Sequence, residues 1–274
     1  MATLLMCNPL FYDVTYSINP WMRPTEVPTD RSLAQRQWDQ LVQTFTDLGV
    51  RVEVIPGRAN LPDMVFTANA GLVSGKRVVL ARFKHPERQP ERHFFGDWFA
   101  THGYTIVDFL DDHSWEGAGD SLVGAAPNGQ PEYLYLGHDF RSDWQAVTHP
   151  GWRTFLPTHR VYPLKLVDPY FYHLDTCFCP LQRGIALIYP PAFLPEQIAC
   201  LEQEHGLTLL KVPEADARKF ACNAVCVDHS VVIPAGCGAT RELLRSAGFE
   251  AIETPVTEFI KAGGACKCLT LRLE

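Results

Sequence analysis

A chain of 274 residues, 46% of them hydrophobic, can bury one substantial core, and an α/β protein of this size is expected to form one catalytic domain over 1–274. The formal charge of −7 is spread along the chain with no block of Lys or Arg, which argues against nucleic acid or anionic lipid and fits a cationic substrate. Nine cysteines are an odd number and several sit in apolar runs such as Leu5-Met6-Cys7, so free thiols in a reducing cytoplasm are expected rather than disulfides. The opening residues lack the basic start of a targeting segment, and no apolar run is long enough to span a bilayer.

In chain order, the apolar spacing of Leu33, Trp38, Leu41, Val42, Phe45 and Leu48 predicts a helix over 32–48. A recurring unit follows, read as a short strand ending near a polar residue, a turn, and an apolar partner strand. Its first copy joins 64–71 to 77–81, its second 115–120 to 133–137, and its third 172–176 to 184–188. A helix is predicted over 195–205 with Gly206 as its stop, then a fourth copy joins 221–227 to 230–234, and a last helix runs over 239–248 with Gly248 as its stop. The fifth copy begins at Lys267-Cys268-Leu269-Thr270-Leu271, with the N-terminal Leu4-Leu5-Met6 as its expected partner. Copies spaced by roughly 45 to 57 residues signal a propeller or array. Closing such an array brings Asn69, Glu116, His173, Asn223 and Cys268 to one centre. Any one of them taken singly reads as a satisfied turn or strand-end group, but five in phase point to a site.

Cysteine is the strong nucleophile in that set, and Cys268 follows the flexible Gly263-Gly264. Its thiolate needs positive charge nearby, which a bound guanidinium could supply. On a strand, Cys266 points to the same side, so spacing does not choose between the two sulfurs. His173 lies in an apolar run, where a lone histidine is more often a buried hydrogen-bonded residue; with a cysteine in reach it can carry protons for a nucleophilic reaction, and Glu116 can fix its ring. Asp175, on the same face of the expected strand, could hold a cation. The close pairs at 177 and 179, 222 and 226, and 266 and 268 lack the spacing of structural zinc sites, so no metal is expected. Phosphate-cradling glycine loops are also missing.

Four motifs, in order, resemble the amidinotransferase superfamily, the pentein-fold enzymes that include arginine deiminase and dimethylarginine dimethylaminohydrolase. They are Leu61-Pro62-Asp63-Met64-Val65-Phe66, Glu116-Gly117-Ala118-Gly119-Asp120, His173-Leu174-Asp175-Thr176 and 263–270 with its Cys-Lys-Cys. The resemblance implies an α/β fold, a five-bladed pseudo-fivefold α/β propeller, with no cofactor and with Cys268, His173 and Glu116 as the catalytic set. Within the superfamily, Phe11-Tyr12-Asp13-Val14 through Asn19-Pro20-Trp21-Met22 and 66–71 are most similar to arginine dihydrolases, which also occur fused to an ornithine cyclodeaminase part without counterpart in these residues. By that likeness Asn69, Asp175, Asp63, Phe66, Arg88, Arg141 and Asn19 bind substrate, with Arg92 competing with Arg88 for the α-carboxylate. Asn69 stands where arginine deiminases and dimethylarginine hydrolases usually have Asp.

The activity so implied is hydrolysis of the guanidinium of arginine to ornithine, ammonia and carbon dioxide. The alternatives are a single cycle yielding citrulline from arginine or methylated arginine, and a non-catalytic propeller that binds a protein. The implied partners are the small-molecule substrate and a homo-oligomer of the chain, with neither nucleic acid nor a membrane.

Overall fold

The computed structural model describes residues 2–129, 131–182 and 184–274. Fifteen strands form five mixed sheets of three strands each. They are β1 (Thr3–Cys7), β2 (Arg51–Ile55), β3 (Gly71–Ser74), β4 (Arg77–Leu80), β5 (Thr105–Val107), β6 (Ser121–Ala125), β7 (Glu132–His138), β8 (His159–Lys165), β9 (Phe178–Pro180), β10 (Ile185–Ile188), β11 (Thr208–Lys211), β12 (Val225–Val227), β13 (Ser230–Pro234), β14 (Glu250–Thr254) and β15 (Leu271–Arg272). Every sheet repeats one path. A first strand leaves a turn, the second pairs with it antiparallel, and the third pairs parallel with the second.

A parallel pair cannot be joined by a tight turn, so each sheet needs a crossover, and helices supply it. Arg31–Asp47, Glu91–Thr101, Pro195–Gln203 and Gly238–Ser246 precede β2, β5, β11 and β14, while β7 and β8 are bridged by the short Trp144–Val147 and Gly151–Phe155. The first helix starts where the Asp30 side chain accepts from the Leu33 amide at 2.8 Å and buries Ala34, Trp38, Leu41 and Phe45. Gly49, at φ 73°, follows its end.

The three helices expected from apolar spacing are present within two residues at either end. Glu91–Thr101 was not expected. Its Phe95 and Phe99 are fully buried, but Gly96 interrupts the pattern because it packs close to Leu80. The last strand does pair with the first, Leu4 opposite Arg272 and Leu5 opposite Leu271.

One expectation needs correcting. The polar residues do not ride on strands: Asn69 lies in the single turn Thr67–Ala70, Glu116 caps Gly117–Gly119, His173 caps Leu174–Thr176, and Asn223 and Cys268 lie in comparable turns. In every copy the strand starts only after the polar turn, at β3, β6, β9, β12 and β15. Prolines 62 and 169 open the segments before two of these turns, where a missing N–H costs nothing. Cys266 and Cys268 therefore share no strand face, and neither do His173 and Asp175.

All nine cysteines are free thiols. Among the described residues no helix is long and apolar enough to cross a membrane.

Leu271, 1% exposed, sits at the seam between the first and last strands. Leu271→Ala should lower unfolding free energy by about 2–5 kcal/mol through lost burial and the cavity left behind, read from urea denaturation. A loss below about 0.5 kcal/mol would mean that the seam contributes little.

Candidate active site

The five turns touch in sequence. The Asn69 side-chain amide donates to the Glu116 carbonyl at 3.0 Å, and the Glu116 carboxylate meets His173 Nε2 at 2.7 Å. The Asn223 amide donates to the Asp175 carbonyl at 3.0 Å, Cys268 N–H donates to Asn223 Oδ1 at 3.0 Å, and Ala68 N–H donates to the Cys268 carbonyl at 3.1 Å. The contacts thus return to the turn where they began. Glycine makes this crowding feasible. A Cβ on Gly119 would collide with the Asn69 amide, and one on Gly264 would collide with the Phe66 ring and crowd Cys268.

A cavity of about 10 Å³ lies at this centre, lined by Asn19, Asp63, Phe66, Asn69, Arg88, Arg141, Tyr172, His173 and Cys268, with Ile18, Met22 and 262–264 completing its wall. Of the expected site residues it gathers all but Glu116, which touches it through His173, and Asp175 and Asn223, which touch it through Cys268. A second cavity, of about 560 Å³, is lined by residues from the first strands of all five sheets and holds none of the expected site residues.

Cys268 is 3% exposed, and its thiol donates to Asp175 Oδ2 at 3.3 Å. Burial first, and then the adjacent Asp175 carboxylate, push this thiol well above its ordinary range. Cys266 lines no part of the small cavity and is buried in the apolar core. The same burial raises its thiol. His173 and Asp175 part company at the turn, one facing Glu116 and the other Cys268.

Glu116 is wholly buried, which opposes ionisation, yet Arg141 at 2.8 Å and the bond to His173 overcome that cost and hold the carboxyl well below its usual range. Asp63 and Asp175 lack such compensation. Each keeps one buried oxygen, Oδ1, with no hydrogen-bond partner among the described residues, while Oδ2 of Asp63 accepts from Tyr16 at 3.0 Å. Burial raises both carboxyls, Asp175 to about 7.

The two arginines differ. Arg88 forms a two-point pair with Glu91 and also donates to Asn69 and to the Asp63 carbonyl, leaving one N–H uncommitted. Among the described residues Arg141 donates only to Glu116 and the Ile18 carbonyl, leaving three, and its guanidinium lies over the Tyr172 ring at 4.5 Å. Arg92 instead bonds the Leu80 and Ala81 carbonyls and Asp108, away from the cavity. Asn19 donates to Tyr172 and to the Ala262 carbonyl. Tyr172 has no assigned role in the sequence reading, and Asn223 appears there only as one of five polar residues in phase. That shared position was the one signal for Asn223.

The arrangement is a buried thiol and a histidine–carboxylate pair lining one cavity, with unpaired acceptors at hand, a set whose chemistry can support nucleophilic attack on a small cation. The family model for N,N dimethylarginine dimethylhydrolase, eukaryotic, matches residues 11–274, and the chain belongs to that family. It is 44% identical over 271 residues to the bifunctional arginine dihydrolase/ornithine cyclodeaminase ArgZ of Synechocystis, a match covering 98% of this chain and 37% of that protein. It is 39% identical over 272 residues to the N(G),N(G)-dimethylarginine dimethylaminohydrolase of Mycobacterium tuberculosis, covering 98% of this chain and 85% of that one. Among solved structures, the N-terminal domain of an ArgZ variant covalently bound to a reaction intermediate superposes with a TM-score of 0.91 at 43% identity, covering all of this chain and 98% of that one. The chain therefore spans little more than a third of its bifunctional relatives.

The Asp175 carboxyl provides a pH test. Its folded value of about 7 lies above the ordinary 3.8, so between those values the folded state holds a proton that the unfolded state has lost. Its contribution is most favourable below the ordinary value and is lost as pH rises towards 7. Asp175→Asn should gain stability relative to wild type between pH 5 and pH 8, on the order of 2 kcal/mol. A pH-independent difference in urea midpoints would contradict the raised carboxyl.

Proposed function

We propose that this chain is an arginine dihydrolase: Cys268 attacks the guanidinium carbon of arginine, and two successive hydrolyses yield ornithine, two ammonia and carbon dioxide. One observation carries this reading. Beside the buried thiol stand two carboxyl groups, each with an unpaired buried oxygen, and a planar cation with several N–H donors is the ligand that satisfies both. The fold we propose for it is a five-bladed, pseudo-fivefold α/β propeller, supported by the five like sheets and the turn contacts that return to their start. A single catalytic domain over 1–274, working in the cytoplasm on a small molecule, fits the nine free thiols.

Asp63, Asp175 and Asn69 hold the guanidinium flat against Phe66, while the uncommitted donors of Arg141, helped by Arg88, grip the α-carboxylate. Asn19 secures the wall through Tyr172. A cavity of 10 Å³ is far too small for arginine, so binding displaces part of that wall. The bound cation lowers the thiol, which burial and the Asp175 carboxylate otherwise keep protonated, and the thiol proton leaves to solvent. Sulfur then bonds to the guanidinium carbon, ammonia leaves with a proton from His173, and an amidino thioether remains. His173, held by Glu116, takes a proton from water; the hydroxide adds, the C–S bond breaks, and a neutral ureido product forms. In a second round Cys268 attacks the ureido carbon and a second ammonia leaves. Water then releases the carbon from sulfur as the carbamate of ornithine, and that carbamate loses carbon dioxide to give ornithine.

Asn69 decides between one round and two. Its Oδ1 accepts from Arg88 at 2.9 Å and its amide keeps one spare N–H, so it can donate to a neutral ureido oxygen where a carboxylate would repel it. Asn69→Asp should shift the product from ornithine towards citrulline while preserving the first step, read by amino-acid analysis. Ornithine formed without citrulline would remove Asn69 from that role.

Cys268→Ser should lower turnover by at least a thousandfold with the fold retained, and acid-quenched wild type should carry the added mass of arginine less ammonia on the tryptic peptide 268–272. Lys267 separates that peptide from the one holding Cys266, so mass on the Cys266 peptide would identify the wrong sulfur.

A further inference from the structure

Asn223 is 0% exposed and uses its whole amide around one loop. Oδ1 accepts from the backbone N–H of Ala265 at 3.1 Å and of Cys268 at 3.0 Å, and the Asn223 carbonyl accepts from Lys267 N–H at 3.2 Å. Two backbone donors on one side fix which end of the amide is oxygen. The nitrogen must then face the other way, where it donates to the Asp175 carbonyl at 3.0 Å and to Cys268 Sγ at 3.1 Å.

We infer that Asn223 is a further catalytic residue: its side-chain N–H donates to the Cys268 sulfur and stabilises the thiolate. The inference rests on the reading of Cys268 as nucleophile. Two facts separate this role from simple loop packing. A loop anchor needs only the oxygen, yet the nitrogen reaches the reacting sulfur itself. The surroundings of Sγ are otherwise hostile to negative charge, since Asp175 Oδ2 is at 3.3 Å and the sulfur is buried, so beside the Ala265 backbone N–H this amide is the one side-chain donor seen on that sulfur among the described residues. The same amide ties the Cys268 loop to the Asp175 turn, so the nucleophile and a carboxylate proposed to hold the guanidinium share one support.

Asn223→Asp keeps the shape and the acceptor for Ala265 and Cys268 but turns the donor facing sulfur into an acceptor. Asn223→Ala removes both. The test is the rate of iodoacetamide alkylation of the intact protein from pH 6 to pH 10, followed on peptide 268–272, together with the pH profile of arginine turnover. Each folded variant should alkylate at least tenfold more slowly at pH 7, equivalent to one pH unit in the thiol, and the rising limb of its turnover profile should move to higher pH. A profile unmoved along the pH axis in a folded variant, whatever the drop in maximal rate, would overturn the proposal and leave Asn223 a loop anchor. Should the aspartate variant fail to fold, Asn223→Ala carries the same test. Cys268→Ser serves as the control: if it still turns over arginine, the nucleophile assignment fails and the proposal falls with it, whereas an inactive Cys268→Ser beside an unmoved Asn223 profile rejects the proposal alone.

Discussion

Burying charge at the meeting point of five turns is the constraint on which the rest of the structure depends. Asp63, Glu91, Glu116, Asp120 and Asp175 are all shielded from water there, against the guanidinium groups of Arg88 and Arg141. Some of this acid is matched: Glu91 by Arg88, Glu116 by Arg141 and His173, and Asp120 by the Ser142 hydroxyl and the Leu174 amide. Asp63 and Asp175 are not. Burial raises all four of Asp63, Glu91, Asp120 and Asp175, so what sets Asp63 and Asp175 apart is the buried Oδ1 of each, which has no hydrogen-bond partner among the described residues and can be satisfied by a proton or by a cation. On the proposed reading, binding and nucleophile activation become one event, because the cation that satisfies the carboxylates is also the charge that stabilises the thiolate.

The fold exists to make that crowding affordable. Each sheet begins directly after its polar turn, so the rigid strand fixes the position of the polar side chain before it. The turns satisfy one another's backbone groups across unit boundaries, as with Asn69 on Glu116 and Asn223 on Asp175. Glycines at 119 and 264 let neighbouring turns approach to within contact of the reactive groups. Stability and chemistry therefore draw on the same few atoms, which is where sequence-level rules are expected to strain.

Much of this was legible before the structure. Apolar spacing located the helices after Asp30, Leu194 and Cys237, and the recurrence of a polar residue before an apolar run brought Asn69, Glu116, His173, Asn223 and Cys268 into one set. Single-turn helices escaped because a run such as Tyr170-Phe171-Tyr172-His173-Leu174 has the composition of a strand, and what bends it is tertiary: Asp120 takes the Leu174 amide that a neighbouring strand would otherwise occupy. The difference between Arg88 and Arg92 was likewise invisible, since both follow β4 and only the partners Glu91 and Asp108 send one inwards and the other outwards. Nothing in the local pattern around Asn223 announced its four side-chain hydrogen bonds. Three exist only because Ala265 and Cys268, 42 and 45 positions later, fold back onto it, and the fourth because Asp175, 48 positions earlier, lies against it.

The central claim, that two underpaired carboxyls and a protonated thiol await a cation, is tested most directly by proton linkage. Arginine binding to Cys268→Ala, which cannot proceed to chemistry, can be followed by calorimetry at pH 6.5 in buffers of different ionisation enthalpy. The account predicts proton release approaching one per arginine bound, as Asp175 ionises against the guanidinium. Binding with no proton release, or with uptake, would show that the carboxyls were already ionised and would contradict it.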